Sequence, residues 1–177
     1  MTATIIAVVG SKKSGKTTTI EALTRELVRR GFKVAAVKHV SEPDFTIDTK
    51  GKDTWRFAQA GARTVILASS NEVVIIEKTG LKDLSMDVIL QKCEGNDVIL
   101  LEGFKKSVGK NGGVHKIVVV KSAEETREAA KSFAPILAFT GSYSTQNLHS
   151  EIPYVDLFKE PEKLADIVED AVKKKVQ

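Results

Sequence analysis

An apolar, β-branched run, Ile5-Ile6-Ala7-Val8-Val9, stops at Gly10, and a helical pattern begins near Lys16. Between them Gly10, Ser11, Lys12, Lys13, Ser14, Gly15, Lys16 and Thr17 fit G-x-x-x-x-G-K-[ST], the phosphate-binding loop, without a mismatch. The chemistry explains the spacing. Gly10 and Gly15 let the backbone wrap an anion with its N–H groups pointing inward. The helix that follows, through Thr18, adds unpaired N–H groups and the positive end of its dipole. Lys16 is placed to reach β- and γ-phosphates, and the Thr17 hydroxyl is a ligand for Mg²⁺. Strand, loop and helix in this order predict a nucleoside di- or triphosphate site.

The 177 residues suffice for one domain with a buried core and are few for two, so a single nucleotide-binding domain over residues 1–177 is expected. A net charge of +4, with lysines scattered or near the phosphate loop and no interleaved aromatics, argues against nucleic acid as a partner. One cysteine, Cys93, excludes an internal disulfide and a Cys-rich metal site, and suits a reducing compartment. The N-terminal apolar run is too short to span a membrane and leads straight into the phosphate loop. It reads as a core strand, and the chain as cytoplasmic.

Helical periodicity over residues 16–30 places Ile20, Leu23, Leu27 and Val28 on one face, with Gly31 as the stop. A short strand over residues 32–37 ends at Lys38-His39, followed by a polar loop over residues 40–52. A helix is expected from Asp53, acting as its cap, to Gly61. Residues 63–68 and 72–77 suit a β-hairpin. A helix over residues 83–92 leads to Asp97-Val98-Ile99-Leu100-Leu101, a run expected in a strand buried on both faces of a parallel sheet. Residues 104–116 read as a Gly- and Lys-rich loop, 117–120 as a buried strand and 123–131 as a helix. Residues 136–139 read as the last parallel strand, and a closing helix starts at Pro161. Alternating strands and helices predict a P-loop-like, doubly wound α/β fold: a mainly parallel sheet with helices on both faces, plus the hairpin.

Mg²⁺ needs more oxygen than one threonine supplies. Glu102 follows the buried run Val98 to Leu101, at the sheet edge that carries the phosphate loop, and is the expected second ligand. Lys38 and His39 end another parallel strand on that edge. His39 is a candidate phosphate donor or water-orienting group. Asp44, Asp48 and Asp53 are candidates for a second metal shell or a base, and Lys12 and Lys13 add positive potential.

In order behind the phosphate loop stand Val37-Lys38-His39, Asp48, Gly51-Lys52-Asp53-Thr54 with Arg56, Ala60-Gly61-Ala62 and Leu101-Glu102-Gly103-Phe104-Lys105. Together they resemble the molybdopterin-guanine dinucleotide biosynthesis adaptor protein B family. The phosphate loop is common to many families, whereas Gly-Lys-Asp-Thr-x-Arg with Glu-Gly-Phe-Lys is far more specific. The resemblance implies a GTP-binding, weakly hydrolysing homodimer. It would assist the nucleotidyltransferase that joins GMP to molybdopterin, the molybdenum cofactor guanylyltransferase, with molybdopterin itself a possible ligand. Carried over by position, Gly10 to Thr18 bind phosphates, Thr17 and Glu102 bind Mg²⁺, and Asp53 and Lys105 stand on the rim. Lys16, Glu102 and Asp53 are then the catalytic candidates, and Lys38, His39 and Lys105 join the nucleotide-binding set. One departure is Ser41-Glu42-Pro43, where family members often carry further histidines. Guanine preference rests on the resemblance alone, since no Asn-Lys-x-Asp sequence is present; by fold analogy the base is expected near Thr140-Gly141-Ser142.

The alternatives are a small P-loop kinase, with Asp44 or Asp48 as base, and a regulatory nucleotide switch. A kinase usually carries an arginine-bearing lid, and the one long basic loop, residues 104–116, has lysines and no arginine.

Overall fold

The structure, a computed structural model, describes residues 3–42, 44–78, 85–141 and 151–176. In chain order the elements are β1 (Thr4–Gly10), α1 (Lys16–Arg29), β2 (Val34–Lys38), α2 (Asp53–Gln59), β3 (Thr64–Ala68), β4 (Val73–Glu77), α3 (Met86–Gln91), β5 (Val98–Glu102), α4 (Lys105–Val108), β6 (His115–Val119), α5 (Ala123–Ser132), β7 (Ile136–Gly141), β8 (Tyr154–Asp156) and α6 (Pro161–Val176). They form two compact units, Met1–His39 with Leu90–Gln177, and Val40–Ile89.

The larger unit is built on a six-stranded sheet in the order β2-β5-β1-β6-β7-β8, parallel throughout. β1 and β5 lie inside it and are almost wholly buried, which is why both read as unbroken apolar runs instead of alternating ones. Ile6, Val8, Leu100 and Ile117 pack with Leu23 and Leu27 of α1 and Leu164, Ala165 and Val168 of α6 in one core layer. The intervening residues Ala7, Val9, Ile99 and Val118 are also buried. From β1 the chain runs one way along the sheet to β2, and from β6 the other way to β7. Right-handed crossovers therefore put α1 and α5 on opposite faces. The expected mainly parallel α/β architecture is present.

Arg30 clamps α1 to α6: its guanidinium lies 2.9 Å from Glu26, 2.7 Å from Asp166 and 2.7 Å from Glu169. Burial works against its charge, but the hydrogen bonds to these carboxylates prevail and hold it above the ordinary arginine range. Hydrogen bonds from Arg29 and Arg30 in turn pull the Glu26 carboxyl down to about 2.

The smaller unit holds the expected hairpin, β3 and β4, with Val65 opposite Ile76 and Ile66 opposite Ile75. Val65 is buried, whereas Ile66, Leu67, Val73 and Ile75 are exposed. Asp53 does not cap α2: Lys52 is the N-cap residue and no side chain caps the helix. The local acid that takes hydroxyl and amide donors is Asp48, whose Oδ1 accepts from Thr54 at 2.8 Å and from the Thr49 N–H at 2.9 Å. Asp53 sits instead in the first turn, where its charge still suits the helix dipole.

Three expectations about boundaries are corrected. β6 starts at His115, not residue 117, because Lys116 is a strand residue with a fully buried side chain. Its amine donates to the Asn111 carbonyl at 2.7 Å and to the Ala134 carbonyl, so the charged end is satisfied inside the protein. Residues 104–116 are not all loop, since α4 occupies their start. β7 is not the last parallel strand; β8, only three residues long, pairs beyond it. Asp83 and Ser142 lie outside the described residues.

Candidate functional site

Gly10 ends β1 with no room for a side chain: a Cβ there would lie 2.5 Å from the Val119 carbonyl oxygen and 2.6 Å from Ser14 Oγ. The loop then turns through Lys13 at φ 57° and Gly15 at φ 100°, both left-handed, and α1 begins at Lys16. A lysine in that region is uncommon and carries a conformational cost, whereas Gly15 adopts it freely. Lys16 bends back so that its amine donates to the Ser11 carbonyl at 2.7 Å. Burial lowers its pKa, and the charges of Lys105, Lys121 and Lys38 lower it further against the opposing pull of Glu102. A cation so desolvated and repelled gains from an anion beside it. Ser11 Oγ and Ser14 Oγ are buried in the loop without a hydrogen-bond partner.

β5 delivers Glu102. It pairs with β1 at Val8 and with β2 at Lys38, so all three side chains are set by strand register. Thr17 Oγ1 donates to the Glu102 carboxylate, 3.1 Å from each oxygen, across 85 residues of sequence. Lys38 Nζ stands 3.4 Å from Glu102 Oε1. The His39 N–H donates to the Glu102 carbonyl at 3.1 Å, and its ring meets Phe104 edge-on with centroids 5.1 Å apart. Phe104 itself has φ 57°, and Gly103 before it φ 90°. This double left-handed step turns the chain sharply off β5 and into α4, which opens with Lys105.

The residues present fit a magnesium nucleotide. The loop turns tightly against β6 at Gly10, where no side chain fits, and offers two orphaned serine hydroxyls and a desolvated lysine. Octahedral Mg²⁺ at about 2.1 Å from its ligands separates neighbouring ligand oxygens by about 3.0 Å, and the Thr17–Glu102 oxygens stand at 3.1 Å. No group of three or more His, Cys, Asp or Glu suited to a metal occurs among the described residues. An ion here would complete its shell from water and phosphate, as Mg²⁺ commonly does.

The sequence-predicted residues separate into two sets. Gly10 to Thr18, Lys38, His39, Glu102 and Lys105 belong to the larger unit, on the carboxyl edge of its sheet. Asp44, Asp48 and Asp53 belong to the smaller unit. There Asp53 faces Arg56 at 3.5 Å, and Asp48, Lys52 and Asp53 line a cavity of about 440 Å³ with Leu67 and Ile76. Thr140 is spent structurally: its hydroxyl donates to the Val155 carbonyl at 2.8 Å. Sequence reasoning missed Lys121, whose amine lies 3.4 Å from the Lys12 carbonyl. The signal was available, since Lys121 is the first charged residue after the apolar run of β6, beside β1 on the same edge.

Residues 5–141 match the family of molybdopterin guanine dinucleotide synthesis protein B, MobB. The chain is 31% identical over 168 residues to the molybdopterin-guanine dinucleotide biosynthesis adapter protein of Haemophilus influenzae, covering 94% of this chain and 88% of that one. It is 35% identical over 120 residues to a putative adapter of the same description from Methanocaldococcus jannaschii, covering 68% of this chain and 48% of the relative. Among solved structures, a crystal structure of molybdopterin-guanine biosynthesis protein B aligns with a TM-score of 0.73 at 27% identity, over 96% of this chain and 99% of that one. Bacillus subtilis MobB shares the fold, with a TM-score of 0.68 at 24% identity over 94% and 96% of the two chains. The match spans the phosphate loop, Lys38-His39 and the Glu102 strand end alike, and the chain belongs to the MobB family.

Proposed function

We propose that this protein is a GTP-binding adaptor in the synthesis of molybdopterin guanine dinucleotide, serving a molybdenum cofactor guanylyltransferase. The observation that carries the nucleotide reading is the pairing of Thr17 with Glu102, two hard oxygen ligands brought together beside Lys16 and the orphaned serines. Gly10 to Thr18 would hold the phosphates, and Thr17 and Glu102 the Mg²⁺. Bound Mg²⁺ would supply charge neutralisation at the β- and γ-phosphates. Lys38 and Lys105 flank the phosphates, and His39 keeps the Glu102 strand end in place through its backbone. The seven-residue helix α2 of the smaller unit bears Asp53 and Arg56, the residues this reading gives to partner contact. Membership of the family supports guanine preference, the partner and a cytoplasmic location as parts of this reading. No helix among the described residues is long and apolar enough to cross a membrane. A homodimer is supported by the exposed cross-strand pair Ile66 and Ile75, an apolar face that a lone hairpin does not normally leave in water.

Turnover without the partner is slow, on the order of 10⁻⁴ to 10⁻² s⁻¹ as in comparable switch proteins. The test is capture of partners from lysate with the tagged chain, together with GTP calorimetry on Lys16→Ala. Recovery of a molybdopterin nucleotidyltransferase and a GTP affinity at least about tenfold weaker in the folded variant are expected. Fast, partner-independent phosphorylation of a small metabolite would restore the kinase reading, and unchanged GTP affinity would remove the nucleotide site.

A further inference from the structure

The phosphate loop uses the carboxyl edge of the parallel sheet. Seven residues of β1 separate it from the amino edge, roughly 20 Å at about 3.3 Å per residue. On that far edge a cavity of about 680 Å³ opens between the starts of β1, β6 and β7 and one stripe of α6. The volume falls within the range of small-molecule sites. Ile5, Ile136 and Leu137 give its sheet wall an apolar character. On the helix side Ile167, Asp170, Ala171, Lys174 and Lys175 recur at i, i+3, i+4, i+7 and i+8, one face of α6. That face is apolar at its inner end and cationic at the chain terminus.

Three observations point to a ligand. His115 opens β6, and two residues on, Ile117 packs with α6, so strand alternation turns His115 toward the helix too. Its Nδ1 is buried without a hydrogen-bond partner, so nothing inside the protein fixes the polar edge of this ring. Burial, with the charges of Lys116 and Lys175, lowers its pKa and favours the neutral ring, in which one nitrogen donates and the other accepts. Finally, the three lysines that end α6 are not equivalent. Lys173 is paired with Glu169 at 2.7 Å and Lys175 donates to the Ala3 carbonyl at 2.8 Å, whereas Lys174 makes no hydrogen bond or ion pair among the described residues.

We propose that this cavity is a second ligand site, for a small amphipathic organic anion of single charge. Its apolar body lies between the β6–β7 edge and α6, a polar group meets the His115 ring where it lines the cavity, and its anionic head meets Lys174 at the mouth. Asp170 and Glu151 also line the cavity and disfavour polyanions, so the site is distinct in chemistry, as in position, from the nucleotide loop.

The test uses the full chain saturated with GTP and Mg²⁺, so that the phosphate loop is closed to competing anions. Anilinonaphthalenesulfonate is the anionic probe and phenylnaphthylamine its neutral counterpart, followed by fluorescence titration and by the imidazole ¹⁵N resonances of His115. Saturable binding that shifts the His115 resonances is expected. The neutral probe should bind about tenfold or more weakly, and Lys174→Glu should weaken the anion by a similar factor while GTP affinity is unchanged. Because Lys174 is exposed, that variant folds. His115→Gln gives an independent check on the same affinity. Absence of a His115 response up to the solubility of the probe, equal affinity for the neutral compound, or unaltered binding to Lys174→Glu would each overturn the proposal without touching the nucleotide reading.

Discussion

Replacing Glu102 by glutamine separates a metal ligand from a structural acid with almost no change in volume. The carboxylate is only slightly exposed, accepts from Thr17 at 3.1 Å, and has Lys38 at 3.4 Å. Glutamine retains an oxygen for the Thr17 hydroxyl, so the packing survives; what disappears is one negative charge. A unit pair about 4 Å apart is worth about 1 kcal/mol in water, and a divalent ion doubles it. The smallest reasonable loss is therefore about 2 kcal/mol, or about thirtyfold in the Mg²⁺-dependent tightening of GTP binding. Binding in chelator should hold or improve slightly, because Lys38 loses its partner and becomes available to phosphate. Calorimetric titration of GTP, in chelator and in excess Mg²⁺, gives both numbers for wild type and variant. If the two affinities fall together, Glu102 serves the fold and not the ion, and the ligand assignment fails.

Gly10→Ala places a methyl 2.5 Å from the Val119 carbonyl in the β1–β6 ladder. A loss of about 1–3 kcal/mol in urea unfolding is expected, with GTP affinity at least about tenfold weaker. Lys116→Met fills the same space but leaves the Asn111 and Ala134 carbonyls without their donor, and should cost about 1–3 kcal/mol by the same measurement. Hydrogen bonds from Arg29 and Arg30 hold Glu26 down to about 2, and those from Lys173 and Arg30 lower Glu169. Both carboxyls titrate higher in the unfolded chain, so their contribution is complete above about pH 4.5 and drains away as the pH falls toward 2. Thermal melts across that window should lose much of their acid sensitivity in Arg30→Met.

Much of the site was legible because its parts are local or sit at element ends. A phosphate loop is contiguous, and Glu102 is marked by the unbroken apolar run before it. Lys116 was not legible for the opposite reason. A lysine in sequence reads as solvated, and only the backbone carbonyls of Asn111, just before the strand, and of Ala134, beyond it, make its burial tolerable. β8 was missed because three residues carry no period, and its place at the edge is set by pairing with β7. The N-terminus of α2 misled in a finer way. Asp48 and Asp53 are the same residue type five positions apart, and which one receives hydroxyl and amide hydrogen bonds depends on a loop conformation that no pattern encodes.

What specifies the site is register more than any single contact. Val8 is opposite Glu102, Lys38 is opposite Glu102, and Gly10 is opposite Val119. A one-residue slip of β5 would turn Glu102 to the other face of the sheet and put Leu101 beneath Thr17, abolishing the ligand pair with no change of composition. Such a slip is prevented by burial on both faces: Leu100 packs with α1 and α6, while Ile99 is buried on the other side. Polar chemistry at the strand end is thus positioned by apolar residues that never approach the nucleotide. A cavity-forming change at Leu100 would be expected to loosen the Thr17–Glu102 pair through the register before it touches any phosphate contact.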